Sequence, residues 1–364
     1  MKGKIELLPV TINTNSRNKG PNKTDNIQKI GAHVKWEKGI FGNGITIAII
    51  DSGIDIHHKK LQSSIKTGYN FSDDDEGNIS IYQDYNGHGT HIAGIISKIA
   101  PKAKLLILKV LNKYGSGTVQ ALIDSINYAI DWRGTKNERV RVISLSLGMK
   151  NPDDELHKVI KRAIKNNISV VVSVGNEGDG DINTEEISYP AGYQEVIGVG
   201  AINNSSDIAN FSNTNKEVDI YAPGVDIYST FLNNEYATLS GTSMAAPHVT
   251  GALALLIEEY EKTSSRQLTE QQVFELLMQN TKRKEVHNIT ISELLLKNEN
   301  IGSVNDRQLL LQCFCEARKT QAFYTKCLSN SSSKESYELL IELVQNSTNT
   351  ANRIKEFCEY SINE

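Results

Sequence analysis

Short apolar runs that alternate with amphipathic helical patterns constrain the fold of this chain more than any other feature. The run 45–50 is β-branched apart from one alanine, as is typical of a strand buried on both faces of a sheet. Strands that alternate with helices at this spacing predict an α/β fold: a mostly parallel central sheet with helices on both faces, in three α/β/α layers. The predicted strands are 45–50, 105–110, 140–147, 170–174, 196–199 and 218–221, and the predicted helices between them include 88–99, 119–132 and 153–166.

Length and charge narrow the class of protein. The 364 residues leave room for one large domain and an appendage. A formal net charge of -4 lacks the basic excess typical of nucleic-acid-binding proteins, so we expect no nucleic acid partner. No apolar stretch reaches the length of a membrane span, and the first residues lack the apolar core of a signal peptide. We therefore expect no membrane association.

The cysteines all lie late in the chain, at Cys313, Cys315, Cys327 and Cys358. In a chain without an export signal, free thiols in a reducing compartment are favoured over disulfides. The sequence therefore predicts a cytoplasmic protein.

Beyond about residue 260 the composition shifts from glycine and strand-forming residues to Leu, Glu, Lys, Gln and Asn. We expect a helical C-terminal extension over 286–364. Its helices could cover the main domain, form a homodimer or bind another partner, and the first two are the more common uses. The helices predicted in this part of the chain are 271–278, 292–297, 308–319 and 335–345.

Four polar residues are predicted to meet at one edge of the sheet. Asp51 and Asn176 each follow a predicted strand, whereas His88 and Ser243 each begin a predicted helix. In sheets of this type ligands bind beyond the carboxyl ends of the strands. These residues therefore form a candidate site.

The chemistry of this set is that of an activated serine. Ser243 stands before the apolar helical run 249–257, where free backbone N–H groups favour a developing anion. His88 could take its proton, Asp51 could orient the imidazole, and Asn176 could donate to an oxyanion. Each residue also has a structural reading: a turn-forming Asp or Asn, a capping His, or a helix-capping Ser.

Taken together, five motifs resemble the subtilisin family of serine proteases. Within that family, the chain is most similar to the intracellular subtilisins of Bacillus-type bacteria. This likeness rests on Leu7-Leu8-Pro9 near the start, on Asp84-Tyr85-Asn86-Gly87, and on Gly178-Asp179-Gly180-Asp181 followed by Thr184-Glu185-Glu186. The order Asp, His, Ser is the order known for subtilisins, so the triad is identified here by resemblance to that family. The resemblance covers roughly residues 1 to 285 and implies a serine endopeptidase that cleaves polypeptide substrates. The motifs are Asp51-Ser52-Gly53, Asn86-Gly87-His88-Gly89-Thr90-His91, Ser146-Leu147-Gly148, Gly175-Asn176-Glu177-Gly178 and Gly241-Thr242-Ser243-Met244-Ala245-Ala246-Pro247-His248.

The resemblance also implies a substrate cleft of broad specificity. Two edge segments would clamp an extended peptide between them, and a pocket wall with an acidic rim would accept large apolar side chains as well as Lys or Arg. The edge segments are Gly115, Ser116, Gly117 and Ser146, Leu147, Gly148; the wall is Ser173, Val174, Gly175 with Glu177 at the rim; Thr242 would support the oxyanion donors; Leu111 and Val119, with Leu147, would shape a second pocket.

For cations, the resemblance gives a mixed expectation. The tight calcium site of many relatives is expected to be absent, because Lys60 stands in place of an aspartate ligand and the loop after 88–99 is too short. The resemblance leaves room for a weaker Ca²⁺ or monovalent-cation site, and the acidic loop 179–186 is either a further candidate or a solvated surface loop. The weaker site would use carbonyls of Ala191, Tyr193 and Val196 together with Asp219.

The resemblance further implies regulation by the chain's own N-terminus. Residues 1–30 would be an inhibitory extension, and 31–285 the catalytic domain. The extended apolar segment 7–10 would lie across the cleft, with Pro9 holding the backbone away from attack. Val10 stands where relatives tend to have Tyr, which leaves the occupant of the main pocket open. The alternative to an active enzyme is a catalytically silent binding or regulatory protein on the protease fold; a complete set of catalytic residues favours the enzyme.

Overall fold

The computed structural model describes residues 3–12, 26–286, 289–297, 306–328 and 333–360. These described residues form two compact units, which divide after residue 299. The first unit contains all of the predicted site residues, and the second consists of the last two helices.

The secondary structure follows the predicted alternation of strands and helices. The strands are β1 (Lys4–Leu7), β2 (Thr11–Ile12), β3 (Thr46–Asp51), β4 (Ile65–Asn70), β5 (Lys104–Lys109), β6 (Ser116–Thr118), β7 (Val140–Leu145), β8 (Leu147–Gly148), β9 (Ser169–Ser173), β10 (Ile197–Ile202), β11 (Ile220–Pro223), β12 (Ile227–Thr230), β13 (Tyr236–Ser240), β14 (Thr281–Val286) and β15 (Ile289–Leu294). The helices are α1 (Asn26–Lys29), α2 (Ala32–Glu37), α3 (His88–Ile99), α4 (Val119–Asp131), α5 (Asp154–Lys165), α6 (Thr242–Ser264), α7 (Glu270–Gln279), α8 (Asp306–Leu328) and α9 (Lys334–Tyr360).

A large sheet forms the middle layer of the first unit. Among the described residues it contains nine strands in the order β14-β15-β11-β10-β9-β7-β3-β5-β4. All neighbours in it are parallel except β14 and β15, which pair antiparallel. Every residue of β3, β7, β9 and β10 is buried, which explains why these strands are mostly apolar.

Helices cover both faces of this sheet. Ala48 and Ile50 of β3 pack into the same apolar core as residues of α4 and α5. Because side chains alternate along a strand, Ile47 and Ile49 face the opposite layer, where α3 and α6 lie against each other and against the sheet. The predicted three-layer α/β/α class is therefore confirmed.

The central helix α6 is tied to the start of the main domain by two buried carboxylates. One Glu258 oxygen accepts the backbone N–H groups of Phe41, Gly42 and Asn43 at 2.6–2.9 Å. Glu259 binds the buried Lys35 ammonium of α2 at 2.7 Å. These contacts fix the C-terminal half of the helix whose first turn carries the predicted nucleophile.

One predicted element is wrong. The helix expected at 292–297 is replaced by strand β15, which joins β14 to the large sheet beside β11. The strand β14 is made largely of Lys, Arg and Glu, as is common for an edge strand that must resist pairing with other chains. That composition concealed the hairpin, so the sheet continues past residue 286, where the helical extension was expected to begin.

The second unit is a helical hairpin in which α8 and α9 pack against each other. Both helices extend beyond the predicted 308–319 and 335–345. Of the cysteines whose side chains are described, Cys327 carries a free thiol. None of the helices described here is both long and apolar enough to cross a membrane.

Replacing Glu258 with Gln should destabilise the first unit by about 1–2 kcal/mol, because the three backbone donors lose a charged acceptor. Urea unfolding in a Ser243→Ala background, which prevents self-digestion, measures this. The matched control is Glu285→Gln, an exposed carboxylate on β14 that should change stability by less than about 0.5 kcal/mol. Equal unfolding midpoints for the two variants would contradict the anchoring role.

Candidate active site

The site is built around a buried contact between Asp51 and His88. Asp51 is the last residue of β3 and His88 is the first of α3, and their side chains are 1% and 2% exposed. The Nδ1 atom of His88 lies 2.9 and 3.0 Å from the two carboxylate oxygens of Asp51. A left-handed Gly87 (φ 98°) turns the chain just before the helix, and a side chain there would collide with the ring of Phe231. The structure thus brings together the predicted base and its orienting carboxylate.

Electrostatics make His88 a stronger base than an ordinary histidine. Burial alone would lower the pKa of His88, but the negative charge of Asp51 and its hydrogen bond outweigh burial and raise this pKa. His91 and His248 are also buried, and their ring nitrogens form hydrogen bonds with backbone carbonyl oxygens. Burial lowers their pKa values to about 3 and about 4, so both stay neutral.

Ser243 lies in the first turn of α6 and is fully buried. Its hydroxyl oxygen is 3.4 Å from the carbonyl oxygen of Ser146. The Nε2 atom of His88 is buried and has no hydrogen-bond partner among the described residues. The hydrogen bond between Ser243 and His88 that would activate the serine is therefore not made in this arrangement.

Asn176 is held with its amide N–H₂ directed into the site. Its Oδ1 accepts hydrogen bonds from the backbone N–H of Thr242 at 2.8 Å and from the Thr242 hydroxyl at 2.9 Å. The amide nitrogen donates to the carbonyl oxygen of Pro9 at 2.7 Å. Thr242 thus fixes the orientation of the predicted oxyanion donor, and that donor is already engaged by the N-terminal segment.

Two edge strands flank this site, and the chain's own N-terminus lies between them. Strand β1 pairs antiparallel with β6 on one side and with β8 on the other. The backbone N–H of Leu7 also donates to the carbonyl of Gly115 at 2.9 Å. The segments 115–117 and 146–148, predicted to clamp a peptide, therefore hold an extended strand from the same chain.

Side chains of β1 fill apolar space beside the edge strands. Ile5 is fully buried in the same core as Leu111, Val119 and Leu147, which we expected to shape a pocket. Leu8 is 5% exposed, and a methyl group built on Gly148 would lie 2.8 Å from its Cδ2 atom. The absence of a side chain at Gly148 makes room for Leu8.

The N-terminal segment continues past the site on its other side. Thr11 and Ile12 of β2 pair antiparallel with Ser240 and Leu239 of β13, the strand that leads into α6. Residues 4–12 thus pair on both sides of Ser243, and Pro9 lies between the two paired stretches. Residues 13–25 of the expected extension lie outside the described residues.

The remaining predicted substrate residues lie where β9 ends. Ser173, Val174 and Gly175 are buried, and Glu177 is exposed. The Glu177 carboxylate accepts a hydrogen bond from the Asn213 amide at 2.9 Å, and the Asn213 side-chain oxygen accepts one from the Glu177 backbone N–H at 2.7 Å. This pair gives the acidic group a fixed position beside the buried wall.

The predicted cation residues occupy a turn that follows the cis peptide bond between Tyr189 and Pro190. Ala191, Tyr193 and Val196 are buried in this turn. Asp219 reaches its far end, where its carboxylate accepts the backbone N–H of Gly198 at 2.9 Å. No group of three or more His, Cys, Asp or Glu side chains suited to a metal occurs in the described parts of the chain, so a cation there would depend mainly on backbone carbonyls.

Two other features bear on cations. Lys60 is exposed, and only residues 100–103 separate the end of α3 from the start of β5. In the acidic loop 179–186, Asp181 accepts hydrogen bonds from Asn183, and these hydrogen bonds lower the pKa of Asp181. Asp179 and Asp181 thus accept hydrogen bonds from other residues of the loop itself.

Sequence reasoning did not single out the buried carboxylate of Asp84. It lies four residues before His88 and binds the turn between them. The stretch Asp84-Tyr85-Asn86-Gly87 contains this residue, but no periodicity or composition signal shows that its partners include a serine 32 residues earlier.

Comparison with known proteins agrees with the motifs and the geometry. The Subtilase family matches residues 42–305. The major intracellular serine protease of Bacillus subtilis is 44% identical over 77% of this chain and 89% of that protein. An intracellular serine protease of Paenibacillus polymyxa is also 44% identical, over 77% of this chain and 86% of its own length. Subtilisin E of Bacillus subtilis is 36% identical over 66% of this chain and 63% of its own length.

The family match includes Asp51, His88, Asn176 and Ser243. The predicted likeness to intracellular subtilisins is confirmed. The chain belongs to the subtilase family and is a subtilisin-like serine protease.

Proposed function

We propose that this protease is an endopeptidase that cleaves polypeptides through a triad of Asp51, His88 and Ser243, with an acyl-enzyme intermediate. The observation that carries the proposal is the buried Asp51–His88 hydrogen bond beside the start of α6. A carboxylate on Nδ1 leaves Nε2 as the atom that accepts a proton, and a serine on the first turn of a helix is well placed for attack.

The proposed reaction proceeds in two halves. Ser243 Oγ attacks the peptide carbonyl while His88 Nε2 takes its proton, and Asp51 stabilises the imidazolium. The C–N bond breaks as His88 returns the proton to the leaving amine. Water then attacks the acyl-enzyme carbonyl, again with His88 as base. The ester bond to Ser243 breaks as His88 returns the proton to Ser243 Oγ, and the second product leaves with its new carboxyl group.

The developing oxyanion would be stabilised by donors that are fixed before the reaction. Asn176 is the side-chain donor, because Thr242 holds its amide oxygen and so directs its N–H₂ toward a carbonyl oxygen 2.7 Å away. The backbone N–H of Ser243 at the start of α6 is the second proposed donor. Donors that need no rearrangement stabilise charge at little cost.

Substrates are proposed to bind as an added strand between 115–117 and 146–148. The way β1 lies there supports this, since its backbone pairs with both edges and its side chains enter apolar space. Backbone pairing does not select sequence, so we propose broad specificity. Ser173, Val174 and Gly175 would wall the main pocket, with Glu177 at its rim favouring a basic end group.

We further propose that residues 4–12 inhibit the enzyme until they are removed. They pair with both edge strands and with β13, and the carbonyl oxygen that accepts the Asn176 hydrogen bond belongs to Pro9. Pro9 lacks an N–H and has a restricted φ, so the chain cannot pair continuously through the site. The serine hydroxyl meanwhile lies near the Ser146 carbonyl. A segment that binds tightly in the cleft but does not present a peptide bond to Ser243 in a cleavable arrangement would act as an inhibitor.

Three further points stay proposals. The intracellular names of two relatives support a cytoplasmic location and a role in intracellular protein turnover or processing. The turn with Ala191, Tyr193 and Val196, together with Asp219, could hold a Ca²⁺ or monovalent cation, with the tight calcium site of other relatives absent. The α8–α9 hairpin could form a homodimer.

The parent protein should lose the segment that contains β1, whereas Ser243→Ala should stay full length, because self-processing needs the nucleophile. Intact mass and N-terminal sequencing of the two purified proteins measure this. If Ser243→Ala is trimmed as fast as the parent in a protease-deficient host, Ser243 is not the nucleophile.

The acid limb of kcat/KM should have its midpoint above the ordinary histidine value of about 6.5. The raised pKa of His88 means that its neutral, active form is lost already as pH falls through this higher value. Peptide hydrolysis from pH 5 to 9, on trimmed enzyme, gives the midpoint. The exposed His57 provides the control: His57→Ala should leave the limb in place. A midpoint at or below that of a free histidine would contradict the buried Asp51–His88 pair.

Replacing Ile5 with Ala should weaken the inhibitory segment by about 1.5–3 kcal/mol, or roughly tenfold to a hundredfold, because a fully buried side chain is removed. The initial rate of peptide hydrolysis by freshly purified full-length protein should rise by that factor. The neighbouring exposed Glu6 provides the control, since Glu6→Ala removes little buried surface. Equal initial rates for the parent and Ile5→Ala would exclude inhibition by this segment.

A further inference from the structure

Asp84 organises the turn that leads into α3. Its side chain is 1% exposed. One carboxylate oxygen accepts the backbone N–H groups of Asn86 at 2.9 Å and Gly87 at 2.8 Å. The other accepts the backbone N–H and the hydroxyl of Thr90 at 2.9 and 2.6 Å. A single carboxylate therefore binds the chain both before and after His88.

Ser52 connects this carboxylate to the strand that carries Asp51. Its hydroxyl donates to Asp84 at 3.0 Å and accepts the backbone N–H of Gly89 at 3.0 Å. The backbone N–H of Ser52 donates to the Asp51 carboxylate at 2.7 Å. Hydrogen bonds of Ser52 thus link Asp51 to Asp84. Ser52 and Asp84 each also bind the first turn of α3.

We propose that Asp84 is a positioning residue for the proposed triad: it holds His88 against Asp51, and its charge favours the protonated imidazole. It touches neither the substrate nor the reacting atoms, so it acts through His88. The inference rests on the proposed function, because it assigns work to the same catalytic pair. A neutral side chain of the same shape at position 84 could still fill the space but would lack the charge and one acceptor.

The charged and titratable groups around His88 come from several elements. Asp51 lies on β3, Asp84 on the loop before α3, and His91 on α3 itself, where burial keeps it neutral. On β5, the buried Lys109 ammonium binds the Ser52 carbonyl at 2.8 Å.

This buried ammonium also pairs with a carboxylate of its own, Asp74, at 2.9 Å. Burial lowers the pKa of His88. The negative charge of Asp51, followed by that of Asp84, raises the pKa of His88. The negative charge at position 84 therefore acts on His88 in the same direction as that of Asp51.

The test compares three variants of the full chain with the parent: Asp84→Asn, Ser52→Ala and Asp55→Asn. Each is trimmed with immobilised parent enzyme, which is then removed. A fluorophosphonate probe is applied from pH 5 to 9, and the rate of Ser243 labelling is measured by mass spectrometry. Asp55 is the matched control, because it is a buried carboxylate of the same region that binds the backbone N–H groups of His57 and Asn234.

Asp84→Asn should lower the maximal labelling rate roughly tenfold to a hundredfold, because His88 is less well placed. Its acid limb should move to lower pH by roughly 0.5–1 unit, because a negative charge that favours the protonated ring is gone. Ser52→Ala should lower the rate by about tenfold and leave the limb in place, because the charge remains. Asp55→Asn should change neither quantity.

If the acid limb of the labelling rate has the same midpoint in Asp84→Asn as in the parent, the inference is overturned. If circular dichroism shows that Asp84→Asn does not fold, Ser52→Ala decides: a reduced rate at the parent's midpoint supports the inference, and the parent's rate overturns it. Absence of Ser243 labelling in the parent is a different result, because it rejects the proposed triad itself.

Discussion

The arrangement of the site depends on the contact between His88 and the Asp51 carboxylate, which lie where water is nearly excluded. Burial alone would make His88 a poor base, and the negative charges of Asp51 first and then Asp84 reverse that effect. The pair exists because β3 ends and α3 begins at the same edge of the sheet. Since parallel strands all end on one side, the same edge also presents Asn176 after β9 and Ser243 at the start of α6. The fold thus places at one edge of the sheet the four residues that the proposed chemistry requires.

The same edge explains why the protein can bind its own N-terminus as if it were a substrate. The short strands β6 and β8 have backbone donors and acceptors that need partners, and β1 satisfies both. A peptide substrate bound as we propose would compete for these same groups, so occupation of the cleft by β1 would itself inhibit the enzyme. In this proposal, the difference between inhibitor and substrate lies in the few residues around Pro9, where the paired strand is interrupted.

Much of this could be predicted from sequence because the decisive signals were local. The β-branched run of β3 reflects burial on both faces, and the motifs around Asp51, His88 and Ser243 are short and ordered. The hairpin of β14 and β15 was missed because an edge strand needs little apolar content, and its basic residues resemble a helix surface. The partnership of Asp84 with Ser52, and that of Asn176 with Pro9, join residues far apart in the chain, so no local pattern reveals them. The domain limits and the cation residues stay predictions.

The most direct test of the catalytic pair is to map the site of covalent labelling in trimmed parent protein and in His88→Ala. A fluorophosphonate reacts only with a serine whose proton is removed by a nearby base. We predict that the label lies on Ser243 in the parent and that labelling of His88→Ala is slower by roughly 10²–10⁴-fold. A label on another residue, or equal labelling rates in the two proteins, would contradict the catalytic role of the pair.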